Sequence, residues 1–73
     1  MKHIAYTEHA REQMEHRFIS REYVRQAIRS VHESTPERYG RKKINADLRG
    51  KKLVVIYGET KKEYVVITSY WVD

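Results

Sequence analysis

The spacing of apolar residues along this 73-residue chain changes near its middle. Between residues 20 and 31, apolar side chains recur at intervals of three and four, which predicts one buried stripe on a helix. The stripe consists of Val24, Ala27, Ile28 and Val31. Ser20 is the predicted N-cap of this helix, and Glu22 falls in its first turn, where a negative charge complements the helix dipole.

A second, earlier helix of about ten residues is predicted to begin after Thr7, which acts as its N-cap. Ala10 and Met14 are then spaced to face the core. Phe18 and Ile19 form the bend between the two helices. The short segment 3–6 is compatible with a strand that precedes both helices.

After Pro36 the apolar residues alternate with polar ones, which predicts β-strands over residues 38–47, 52–57 and 63–72. The intervening turns, Arg49-Gly50 and residues 58–62, are short, and short turns join antiparallel strands. The sequence therefore predicts one α+β domain over residues 1–73. Its two N-terminal helices pack on a three- to four-stranded antiparallel sheet, the fourth strand being segment 3–6.

Two short helices can cover only one face of such a sheet. In the strand 38–47, apolar residues alternate with a basic and polar set, whereas the two later strands carry apolar side chains on both faces. The apolar set is Ile44, Ala46 and Leu48, and the other set is Tyr39, Arg41, Lys43 and Asn45. The second face is therefore partly exposed, shaped into a cleft, or covered by a partner protein or by a second copy in a homodimer. The alternative is that the twisted sheet curls enough to cover itself.

The amino-acid composition excludes several classes of site and of protein. The chain has no cysteine, which excludes a disulfide scaffold, a thiolate zinc site and thiol catalysis. The first residues offer no apolar stretch for a signal peptide, and the longest apolar run, residues 53–57, is far shorter than the roughly 20 residues of a membrane span. We therefore expect a cytoplasmic protein without membrane contact. The net charge of +5 favours a polyanion such as RNA as a partner, although a charge of this size also serves solubility.

Four polar residues share one face of the first predicted helix, at i, i+4, i+7 and i+8: His9, Gln13, His16 and Arg17. Imidazole exchanges its proton near neutral pH, and the arginine fork matches phosphate oxygens. The stripe is thus a candidate catalytic or RNA-binding surface, or else a solvated helix face. His9 and His16 are not at the i, i+4 spacing of paired metal ligands, so we expect neither a metal nor a cofactor.

Two further candidates lie in the predicted strands. Alternation brings Tyr39, Arg41 and Lys43 to one face, which could hold phosphates and stack a base. The same charges would also protect an edge strand from aggregation. Tyr70 is predicted to project with Thr68 to the face opposite Trp71, where its phenol could transfer a proton, stack on a base or simply pack. Trp71 is predicted to anchor the core against the helices.

Two segments resemble a small prokaryotic family of domains of unknown function. Residues 7–20, TEHAREQMEHRFIS, resemble the motif T-x-H-A-x-x-R-M-x-x-R-x-I-S, and residues 66–71, VITSYW, resemble the ending V-I-T-x-Y-W. The order of elements in that family is similar to that of the RelE and BrnT toxins of toxin–antitoxin systems. Those toxins are compact α+β ribonucleases that need no metal and are neutralised by a bound antitoxin.

This resemblance implies a RelE/BrnT-like fold, metal-independent endoribonuclease activity on RNA, including mRNA on the ribosome, and a cognate antitoxin partner. It implies an RNA-cleaving face made of His9, Arg17, Arg41, Lys43 and Tyr70. From the chemistry of RNA cleavage we expect His9 to act as base or acid, Arg17 and Arg41 to hold the phosphate, Lys43 to give electrostatic support, and Tyr70 to stack or donate a proton. Gln13 stands where the motif has its first arginine, so one cation of that pattern is missing. A non-catalytic nucleic-acid-binding module and a protein-interaction domain are the alternative interpretations.

Overall fold

The structure is a computed structural model, and it describes residues 2–29 and 34–72. Two helices and five strands follow one another along the chain: β1 (His3–Tyr6), α1 (Glu8–His16), α2 (Arg21–Arg29), β2 (Ser34–Pro36), β3 (Lys42–Leu48), β4 (Lys51–Glu59) and β5 (Glu63–Val72). A 3₁₀ turn, Arg38–Gly40, separates β2 from β3. In the described part of the chain, neither helix has the length and apolar character that crossing a membrane requires.

The five strands form one mixed sheet in the order β1-β5-β4-β3-β2. Neighbours from β2 to β5 are antiparallel, whereas β1 runs parallel to β5, with Ile4 opposite Tyr64. The predicted α+β class with two helices is confirmed, but the prediction of a three- to four-stranded antiparallel sheet is wrong in strand number and in orientation. Turn signals report only on strands that are adjacent in sequence, and β1 and β5 lie at opposite ends of the chain.

Residues 34–41 depart most from the sequence prediction. Ser34–Pro36 form a short strand paired with β3, a strand that the sequence pattern did not predict. Tyr39 and Gly40 have φ angles of 63° and 72°, which an extended strand cannot accommodate. The predicted strand 38–47 therefore begins only at Lys42, and Tyr39 does not alternate along it with Lys43.

The predicted helix starts and the first hairpin are confirmed. The Thr7 hydroxyl oxygen accepts a hydrogen bond from the Ala10 N–H at 3.0 Å, and the Ser20 hydroxyl oxygen accepts one from the Tyr23 N–H at 3.1 Å. Arg49 and Gly50, with φ of 55° and 82°, join β3 to β4 in the left-handed conformation typical of two-residue hairpin loops. Val31, the last residue of the predicted helix stripe, lies outside the described residues.

The core lies between the two helices and one face of the sheet. The buried side chains of this cluster are Ala10, Met14, Ile19, Val24, Ala27, Ile44, Ala46, Leu53, Val55, Tyr57 and Val66. Ser69 is also fully buried, opposite Val55, and its hydroxyl forms no hydrogen bond with the described residues.

The end of α1 has a left-handed residue that is not glycine. Arg17 caps the helix, Phe18 follows with φ of 55°, and the Ile19 N–H bonds back to the Met14 carbonyl at 2.8 Å. This is the Schellman arrangement, and the buried Ile19 and Met14 provide the apolar pair that accompanies it. Glycine is the usual residue at the left-handed position, because a Cβ there is strained. The Phe18 side chain is 88% exposed, so burial does not compensate for the strain.

We expect Phe18→Gly to raise the free energy of unfolding by about 0.5–1 kcal/mol, since relief of left-handed strain exceeds the added entropy of glycine in the unfolded chain. Urea denaturation checks this as a higher midpoint at an unchanged slope. Phe18→Ala is the matched control, because it removes the ring but keeps the strained Cβ. An equal gain in Phe18→Ala would show that the ring, and not the backbone, is the cause.

Candidate functional site

Helix α1 lies along the part of β5 that β1 leaves free. Strand β1 pairs with β5 only from Glu63 to Val66. Beyond that point the Thr7 N–H donates to the Val66 carbonyl at 3.1 Å, and the Thr7 hydroxyl donates to the Ile67 carbonyl at 3.3 Å. The chain therefore turns directly from β1 into α1 beside the C-terminal half of β5.

A groove of about 690 Å³ lies between α1 and this half of β5. We call it the α1–β5 groove, and its lining residues are Gln13, Arg17, Thr68, Tyr70 and Trp71. Its size is within the range of small-ligand sites, which is roughly 300–1,000 Å³. The groove opens to solvent, so it is suited to a ligand that extends beyond it.

Arg17 is fixed in this groove by contacts from both its backbone and its side chain. Its Nη1 donates to the Ser69 carbonyl at 3.1 Å, and the guanidinium carbon is 5.9 Å from the centroid of the Tyr70 ring. The Arg17 carbonyl accepts a hydrogen bond from Trp71 Nε1 at 2.9 Å. Since guanidinium has five N–H donors, most of its hydrogen-bonding capacity is not used by the Ser69 contact.

Two other contacts join the walls of the groove. The Thr68 hydroxyl donates to Gln13 Oε1, which ties α1 to β5. Trp71 packs edge-on against Tyr23 of α2, with ring centroids 5.7 Å apart and planes at 74°. Trp71 therefore links β5 to both helices, as its predicted anchoring role requires.

The sheet register shows which side chains lie on the same face of the sheet as Thr68 and Tyr70. Tyr70 lies opposite Val54, whereas its neighbour Trp71 lies opposite the core residue Leu53, so the predicted separation of Tyr70 from Trp71 is confirmed. Lys43 lies opposite Ile56, which lies opposite Thr68. Two strand spacings amount to about 10 Å, so Lys43 stands on the same face as Thr68 at about that distance.

The structure brings Gln13, Arg17 and Tyr70 together in the groove, with Lys43 on the adjoining sheet face. His9 and His16 have exposed side chains on α1 and do not line the groove.

The other two predicted site residues, Tyr39 and Arg41, form a separate cluster. Tyr39 is 86% exposed and lies 5.7 Å from the Arg41 guanidinium, beside β2. Arg41 lines a depression there with Pro36 and Lys42, apart from the α1–β5 groove.

Sequence reasoning did not include Thr68 or Trp71 among the site residues. Both belong to the VITSYW segment that contains Tyr70, and strand alternation already placed Thr68 on the face of Tyr70. That signal identifies Thr68. The participation of Trp71 depends on the position of α1 at the edge of β5, which alternation does not predict.

The groove lining combines one permanent cation with a hydroxyl, an amide and two aromatic rings. Among the described residues, no three His, Asp or Glu side chains are grouped as metal ligands. A guanidinium beside aromatic rings is suited to a ligand that carries both a negative charge and a flat ring.

The chain matches one known protein family. The model of a family described as Domain of unknown function (DUF4258) matches residues 6–71, so the chain belongs to that family. Searches of the curated proteins and of the solved structures gave no significant match. The predicted membership in a small family of unknown function is confirmed, and the likeness to RelE and BrnT stays a prediction.

Proposed function

We propose that this member of the DUF4258 family is a toxin-type domain that binds single-stranded RNA in the α1–β5 groove and cleaves it without a metal ion. The main support is the position of the Arg17 guanidinium, 5.9 Å from the centroid of the Tyr70 ring. Each nucleotide presents a phosphate next to a flat base, so a fixed cation beside an aromatic ring is complementary to it. The net charge of +5 adds a long-range attraction for RNA.

Cleavage by the RNA's own 2′-hydroxyl needs a base, a cation at the phosphate and an acid for the leaving 5′-oxygen. In this proposal, Arg17 stabilises the charge that gathers on the phosphate, and Lys43 supports it from the adjoining face. Tyr70 stacks on a base or protonates the leaving oxygen. His9 acts as the base; it lies eight residues before Arg17, about 12 Å along the helix axis, so the two side chains must converge on the nucleotide that is cleaved.

Non-catalytic RNA binding is the second candidate function. The five residues lining the α1–β5 groove include no histidine and no carboxylate. Arg17 and Tyr70 would serve RNA binding equally well without such a group.

The decisive experiment incubates the purified protein with a mixture of RNAs in EDTA, both free and engaged on ribosomes, with His9→Ala alongside. We expect metal-independent cleavage that leaves 2′,3′-cyclic phosphate ends, because the attacking group is the 2′-hydroxyl, and we expect a large loss of rate in His9→Ala. Binding without cleavage in both settings would identify the non-catalytic module. Absence of binding would contradict both candidates.

The toxin-type assignment includes a cognate antitoxin. Co-expression with the product of the neighbouring gene tests this part, and we expect a stable complex in which RNA cleavage is suppressed. An active ribonuclease whose neighbour neither binds nor inhibits it would leave the activity but remove the toxin assignment.

A further inference from the structure

A second groove, distinct from the α1–β5 groove, lies between α2 and the edge strand β1. We call it the α2–β1 groove, and its lining residues are Lys2, His3, Ile4, Tyr6, Arg21, Arg25 and Arg29. The three arginines recur every fourth residue, so they form one row on α2 with a spacing of about 6 Å along the helix axis. None of these residues belongs to the polar stripe predicted on α1, which consists of His9, Gln13, His16 and Arg17.

The neighbouring contacts show how much of this positive charge is compensated. The Arg21 guanidinium lies 5.3 Å from the centroid of the Tyr6 ring, and Arg25 Nη1 lies 3.3 Å from the carboxylate of the exposed Glu22. Lys2 pairs with Glu59 on β4. Four permanent cations thus line the groove, whereas its lining residues include no carboxylate.

The Tyr6 side chain lies next to the arginine row. Burial raises the pKa of the Tyr6 phenol, while the charges of Arg21 and Arg25 oppose that rise. Both cations therefore lie close enough to act on the phenol, and Arg21 lies against its ring. A ligand that enters there meets two arginine forks and an aromatic ring together.

We infer that the α2–β1 groove binds the phosphate backbone of single-stranded RNA, as a second contact surface for the strand. The choice of RNA rests on the proposed function. The guanidinium fork of arginine matches phosphate oxygens, and an evenly spaced row of arginines fits an RNA strand, which carries one phosphate at every nucleotide. An acidic protein segment presents its carboxylates at irregular intervals and fits such a row less well.

The test measures the salt dependence of RNA binding by fluorescence anisotropy, between about 50 and 200 mM salt. The probe is a labelled 2′-O-methyl oligouridine, which lacks the attacking hydroxyl and therefore stays intact. The logarithm of the binding constant K falls linearly with the logarithm of the salt concentration, and each lost phosphate contact makes this slope less steep by about 0.7. For Arg21→Gln with Arg25→Gln we expect the slope to fall by about 1.4, and the affinity at 0.1 M salt to fall about 25-fold.

The matched control is Arg38→Gln with Lys61→Gln, which removes the same charge from exposed residues that line neither groove. A second variant, Arg21→Lys with Arg25→Lys, keeps the charge and is expected to keep most of the slope. An unchanged slope in the glutamine variant, or an equal fall in the control, would overturn the inference. Loss of binding to polyglutamate but not to the oligouridine would assign the groove to an acidic protein segment instead.

Failure of this inference can be told apart from failure of the proposed function. If the wild-type protein does not cleave RNA but the slope falls as expected, the groove still binds the RNA backbone and only the cleavage proposal fails. If cleavage is observed and the slope is unchanged, the α1–β5 groove acts without this second surface.

Discussion

Under the proposed function, replacing Arg17 by lysine is expected to lower the rate of RNA cleavage about 10²–10³-fold, the usual effect of removing a positioned donor from a developing negative charge. Lysine keeps the positive charge, so long-range attraction for RNA persists. It cannot reproduce the planar fork that reaches the Ser69 carbonyl while lying beside the Tyr70 ring. The backbone carbonyl that accepts the Trp71 hydrogen bond is unaffected, so the fold should be retained.

Single-turnover cleavage of one RNA substrate measures this effect, with thermal unfolding as a check on folding. Arg11→Lys is the matched control, because Arg11 is also an exposed arginine of α1 but does not line the α1–β5 groove. We expect the control to cleave at nearly the wild-type rate. Equal losses in the two variants, or full activity in Arg17→Lys, would mean that the position of the Arg17 fork is not used.

Local sequence signals predicted the helices well because the contacts that start a helix lie within a few residues of one another. Thr7 bonds to the N–H three residues later, and Ser20 does the same, so each cap could be identified from sequence alone. The Arg49-Gly50 turn was recognisable for the same reason. The bend at Phe18 was placed correctly, but its left-handed conformation was not, since phenylalanine rarely adopts it.

The candidate site was predictable only in part, because it depends on contacts between distant segments. Helix spacing correctly placed Gln13 and Arg17 on one side of α1, but it could not show that β5 offers a free edge beside them. That edge exists because β1 pairs in parallel with only the first part of β5. Tyr39 was misplaced because its positive φ ends the extended chain before β3 begins.

The same sheet that positions Tyr70 depends on a small core, so Leu53→Ala is expected to remove a large share of the stability. Leu53 is fully buried opposite Trp71, and deleting a buried leucine side chain costs about 2–5 kcal/mol. A chain of this length is expected to have a total stability of roughly 4–11 kcal/mol. A loss of about 3 kcal/mol would lower the melting temperature by about 12–24 °C in a domain of this size.

Thermal and urea unfolding followed by circular dichroism measure this loss, and Leu48→Ala provides the same substitution at the margin of the core. Leu48 is only partly buried, at the end of β3 where the chain turns into β4, so its truncation leaves a smaller cavity. We expect less than half the effect of Leu53→Ala. Equal losses would show that the hairpin end is packed as tightly as the centre. Because Trp71 also bonds to the Arg17 carbonyl, loosening the packing at Leu53 should weaken the RNA binding proposed for the α1–β5 groove, even at temperatures where the variant is still folded.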